Sequence, residues 1–71
     1  MGTKYKNERK IFIAIDDKNT IVANSRTGKD FADQLHYFGK SHIWYSRKFK
    51  DKNTFTHLFD NRVFWLYKIY V

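Results

Sequence analysis

The apolar positions of this chain change period twice, and the two changes divide it into elements. Ile11, Ile13 and Ile15 alternate at period two within Lys10-Ile-Phe-Ile-Ala-Ile, which predicts a strand. The polar cluster Asp16-Asp17-Lys18-Asn19 predicts a turn, and Thr20-Ile21-Val22-Ala23 resumes strand composition, so residues 10–24 are expected to form a β-hairpin. Asp16 and Asp17 are assigned to that turn rather than to a catalytic or metal-binding pair.

Phe31, Leu35 and Phe38 then recur at i, i+4 and i+7 with Ala32 beside them, the spacing of one helical stripe. Thr27 is placed to cap the backbone N–H of Asp30, Asp30 to reach back as a capping box, and Gly39 to take the left-handed position after the last turn. This predicts a helix over about 28–38. Ser41 offers a second N-cap, followed by Ile43, Trp44 and Phe49 among Ser46, Arg47 and Lys48, which predicts a second short helix. Trp44 and Tyr45 point about 100° apart on such a helix. One of the two is therefore expected at the surface: Trp44, beside Ile43, suits the core and Tyr45 a surface contact, and the reverse assignment stays open.

After the polar break at Lys50-Asp51-Lys52-Asn53, Thr54 to Phe59 and Arg62 to Val71 have strand composition around Asp60-Asn61, a second hairpin. In its last strand Val63, Trp65, Tyr67, Ile69 and Val71 form a wholly apolar set, taken as the core face. Phe64, Leu66 and Tyr70, with Phe12, fall on the other face and would form an exposed aromatic patch for a partner or a second copy. The expected fold is α+β: an antiparallel sheet of two hairpins with a two-helix, helix-turn-helix-like insertion, in the order β-β-α-α-β-β. Residues 10–71 form a single domain, preceded by a flexible basic tail over 1–9.

Composition narrows the function. The 71 residues hold 14 Lys and Arg against 7 Asp and Glu, a net charge of +7, which favours a polyanionic partner. Aromatic residues make up 20% and supply enough apolar area for a small core, while the absence of cysteine excludes disulfides and thiolate metal sites. Apolar stretches fall short of a membrane span, and a cytoplasmic location is the default expectation for a chain without cysteine.

No catalytic residues, metal ligands or cofactors are expected. His36 and His42 lie on either side of Gly39, no Gly-rich phosphate loop occurs, and Asp30 and Asp33 suit the first turns of a helix. The expectation is a protein that is not an enzyme. Lys40, Arg47, Lys48, Lys50 and Lys52 crowd a stretch whose one acid is Asp51, with Ser41, His42, Tyr45 and Ser46 interleaved. Basic groups of this kind hold phosphates, and the polar ones reach base edges. These nine residues are the candidate nucleic-acid-binding set, carried by a basic second helix over 41–52.

The layout Lys10-Ile-Phe-Ile-Ala-Ile-Asp, Thr20-Ile-Val-Ala, Thr27-Gly-Lys-Asp-Phe-Ala-Asp-Gln-Leu and Ser41-His-Ile with a terminal β segment resembles the modular DNA-binding domains found beside homing endonucleases. It is also similar to short proteins encoded by bacteriophages and prophages. The resemblance covers residues 10–71; Thr27 matches the helix cap, Ala32 and Leu35 the helix core, and Asp30 stands where those domains have Glu. In them a glycine follows the leucine directly, whereas His36-Tyr37-Phe38 intervene here before Gly39. The resemblance implies non-catalytic binding of duplex DNA. The competing expectation is a phage-encoded inhibitor or modulator of a host nucleic-acid enzyme, such as a restriction or CRISPR nuclease, gripping a protein partner.

Overall fold

Two hairpins meet along their first and last strands. In the computed structural model, which describes residues 9–71, β1 (Lys10–Ile15) pairs with β2 (Ile21–Ser25), and β3 (Thr54–Phe59) with β4 (Arg62–Tyr70). Antiparallel pairing of β1 with β4 joins them into a four-stranded sheet of order β2-β1-β4-β3. The chain between the hairpins forms α1 (Gly28–Gln34) and α2 (His42–Lys48), giving the expected β-β-α-α-β-β order and α+β class. The expected tail lies outside the described residues except for Arg9.

Each turn has a local cause. Asp60 and Asn61 both have positive φ, 56° and 62°, so the second hairpin closes in two left-handed residues that match the twist of the strands. In the first hairpin the Asp16 carboxylate accepts the backbone N–H of Lys18 and of Thr20, both at 2.9 Å. The Arg62 guanidinium then ties Asp16 and Asp17 to the start of β4, at 3.0 and 3.1 Å. These hydrogen bonds, that from Thr20 foremost, hold the Asp16 carboxyl below its ordinary range. Asp16 is a turn former.

The first helix is shorter than its apolar spacing predicts. Thr27 accepts from the Asp30 N–H at 3.2 Å, but Asp30 does not complete a capping box. The Thr27 N–H is taken by Ser25 Oγ, and Asp30 accepts from Gln34 instead. Gln34 also exchanges two hydrogen bonds with the backbone of Asn24, clamping α1 to the edge strand β2. The helix stops at Leu35, and His36–Phe38 form a 3-10 turn closed by Gly39 at φ 70°.

The sheet presents its other face to the helices than the sequence pattern suggests. Phe12, Ala14, Ala23, Phe64 and Leu66 are buried beneath α1 and α2, while Ile11, Ile13, Ile15, Val63 and Tyr67 are half-buried and Trp65 is 38% exposed. Ala14 lies opposite Ala23, and these two small side chains leave the depth into which Phe31 and Leu35 pack, both 0% exposed. A row of β-branched isoleucines would hold the helix further off. Aromatic rings then carry the layer contact: Phe12 stacks on Phe31 and meets Phe49, each at 5.5 Å between centroids. Phe38 reaches Phe64 at 5.0 Å and His57 at 4.6 Å. The patch expected from Phe12, Phe64 and Leu66 is therefore core, and the Trp65 side of β4 is open.

Candidate nucleic-acid interface

α2 is a two-turn helix with one side in the core. Tyr45 and Phe49, four residues apart, are 1% and 2% exposed, and the same geometry turns Ile43, Ser46 and Arg47 outward. Tyr45 is thus not a surface contact. Its ring meets Phe31 edge-on at 5.5 Å, and its hydroxyl is buried without a hydrogen-bond partner among the described residues. Burial pushes its pKa up to about 12. Trp44 is the half-buried aromatic, set against Phe55 and His57 at the margin of the core.

The helix ends at Lys48 rather than continuing to 52. Phe49 turns into the core, and the Lys68 ammonium on β4 donates to the Phe49 carbonyl at 3.0 Å, capping the helix end with a cation. Lys50 and Lys52 consequently lie on the loop to β3. The other eight candidates, Lys40, Ser41, His42, Ser46, Arg47, Lys48, Lys50 and Lys52, are all exposed. Ser41 caps α2 only through its backbone carbonyl, so its hydroxyl makes no capping bond.

Two of the lysines have a second partner. The ammonium groups of Lys40 and Lys48 sit 5.2 and 5.4 Å from the Trp44 ring centroid, on an aromatic face that attracts cations. His57, beneath the same ring, has its pKa lowered by burial first and then by Lys40 and Lys48. Among the described residues Arg47 and Lys50 make no such contact.

A shallow cleft of about 390 Å³ separates α1 from the start of α2. Lys29 and His36 line it together with Lys40, Ser41 and His42, and Asp33 is its one acid. Lys29 and His36 carry no signal in the sequence for this site, because they join it through the packing of α1 beside α2. Between Lys40 and Lys52 five cations face one acid, four of the seven net positive charges of the chain. Among the described residues the salt bridges are those of Arg62 with Asp16 and Asp17, so none of these five is neutralised by a carboxylate.

Among the described residues no group of three or more His, Asp or Glu side chains converges as a metal site would require, and no helix is long and apolar enough to cross a membrane. Compared with protein-family models, with curated proteins and with solved structures, the chain matches none.

Proposed function

We propose that this protein binds duplex DNA without catalysing a reaction, docking the α2 side of its helical layer on the phosphate backbone. The observation that carries the reading is the accumulation of exposed cations at Lys40, Arg47, Lys48, Lys50 and Lys52 without carboxylate partners among the described residues. Unpaired, solvated cations clustered on one side of a small domain are what counterion release from nucleic acid requires. Arg47, Lys50 and Lys52 contact phosphates directly, and Lys40 and Lys48 do so from the Trp44 ring. His42, Ser46 and Ser41 are the groups placed for base edges. Lys29 and His36 extend the footprint onto α1 and the turn that follows it. The resemblance of residues 10–71 to modular DNA-binding domains supports duplex DNA as the polyanion.

Titration against duplex DNA between about 50 and 200 mM salt tests this, because log affinity falls with log salt by about 0.9 per phosphate contacted. Replacing Arg47 and Lys50 together by Ala should weaken binding to every sequence and lower the magnitude of that slope by about two. His42→Ala should change preference among sequences and leave the slope nearly unaltered. Binding by the parent no tighter than about 10⁻⁴ M, the weak end of non-specific affinity, refutes the reading. So does an Arg47/Lys50 double variant with unchanged affinity.

A further inference from the structure

The open face of the sheet has a composition unlike the rest of the molecule. Across the central ladder Ile11 lies opposite Ile69, Ile13 opposite Tyr67 and Ile15 opposite Trp65, all on the side away from the helices. β3 extends the same face with Thr54, Thr56 and Leu58, the last opposite Val63. In a chain with 30% charged residues, not one Lys, Arg, Asp or Glu occupies a register position on this side of the paired strands. We infer that this face is a self-association surface, on which a second copy packs sheet against sheet.

The chemistry selects that occupant. A single-stranded nucleic acid stacking on Trp65 or Tyr67 needs cations along its backbone, and the face has none. A lipid surface is excluded by orientation, because the cations that would meet headgroups lie on the helical layer at the opposite side of the sheet. Residues 1–8 hold Met1 and Tyr5 as their large apolar side chains, too few to cover the patch.

A two-fold partner, in contrast, must bring the same surface to itself, and a face whose paired positions carry no charge meets its own image there without like charges opposing. The Asp16 and Asp17 carboxylates, which border a shallow pocket with Ile15, Trp65 and Tyr67 at one end of the face, are paired with Arg62. The chain's net charge of +7 opposes the approach of two copies through their basic surfaces. Sheet-to-sheet packing also sends the two basic helical layers to opposite outer sides, their greatest separation.

The area is sufficient. Six paired positions on β1 and β4 at about 3.4 Å each, across four strands about 4.8 Å apart, give a plane of roughly 400 Å² per copy before side-chain relief is added. Two such faces with their relief reach the ~1,000 Å² that a specific interface must clear. An interface at that lower limit of size is of the weak, reversible class.

Sedimentation equilibrium of the full chain tests the proposal. A dimer, twice the 8.7 kDa of the chain, should predominate at about 100 μM and dissociate on dilution. Added salt should strengthen it by screening the repulsion between copies. Thr56→Lys places a charge at an exposed position of the face and should leave a folded monomer by circular dichroism, with dimer affinity reduced at least tenfold. Ile13→Lys and Ile13→Glu, at the middle of the ladder, should each be monomeric alone and associate when mixed. A parent that stays monomeric over the whole range overturns the proposal, and so does one that acquires this face's contacts only with a different protein. A dimer unchanged in Thr56→Lys also overturns it, whether or not the Ile13 variants fold.

Discussion

Tyr45→Phe should stabilise the protein, and the reason is a single oxygen atom. Tyr45 is 1% exposed and its hydroxyl has no hydrogen-bond partner among the described residues. A buried hydroxyl left unpaired costs about 1–3 kcal/mol in lost hydration. Phenylalanine keeps the edge-on contacts with Phe31 at 5.5 Å and Trp44 at 5.0 Å. It leaves a void of about 15 Å³, worth about 0.4 kcal/mol at ~24 cal/mol per Å³. The net expectation is a gain of about 1–2 kcal/mol, and each 1 kcal/mol raises the Tm of a domain this size by about 4–8 °C.

The difference between the two proteins should also depend on pH. With its pKa raised from 10.0 to about 12, Tyr45 contributes stability that is complete below pH 10 and is lost as pH rises through 12. The unfolded chain releases this proton first, so by pH 11 the wild type should have lost about 1 kcal/mol that the variant keeps. Urea unfolding at pH 8 and pH 11, followed by circular dichroism, measures both effects. A variant more than about 0.5 kcal/mol less stable than wild type at pH 8 would refute the argument, because the hydroxyl would then be hydrogen-bonded in solution.

Two further outcomes follow from the packing. Leu35→Ala, at a position 0% exposed, should cost about 2–5 kcal/mol in the same unfolding assay. Ile43→Ala, on the outer side of α2 at 52% exposed, should change stability by less than about 0.5 kcal/mol. His57 has a lowered pKa, set by burial and by Lys40 and Lys48, so the unfolded chain binds its proton more readily. Its contribution is complete above about pH 6.5 and is lost as pH falls through the folded value. His57→Leu should therefore show a smaller drop in stability than wild type between pH 7 and pH 5, and an identical drop would exclude His57 as the source.

The elements were legible because each has a local cause: alternation at Ile11, Ile13 and Ile15, the Thr27 cap, and the Asp60-Asn61 turn. The choice of sheet face was not, since β4 carries large apolar residues on both sides, Phe64 and Leu66 on one and Val63, Trp65, Tyr67 and Ile69 on the other, and the wholly apolar side is the one that stays open. The deciding feature is non-local: Ala14 and Ala23 become neighbours only when β1 and β2 pair. On α2 the discriminating signal was present, because Tyr45 and Phe49 stand four apart and share the buried stripe. Trp44, the larger of the two adjacent rings, lies at the core margin as the platform for Lys40 and Lys48. The basic residues of the candidate site needed only their clustering along the chain to be found. Lys29 and His36 needed the packing of α1 beside α2.

Under the two proposals above, placing charge and apolar area on opposite sides of one sheet separates two tasks that would otherwise interfere. A cation on the open face would be desolvated by a second copy. Here the helical layer screens one from the other. Where both proposals hold, two sheets about 10 Å apart, each backed by helices about 10 Å across, set the two α2 surfaces back to back and facing away from each other. One straight duplex cannot lie against both. The dimer would then join two segments of nucleic acid, with its affinity for each set by the cations from Lys40 to Lys52 and its capacity to hold both set by the uncharged face that contains Ile13, Trp65 and Tyr67.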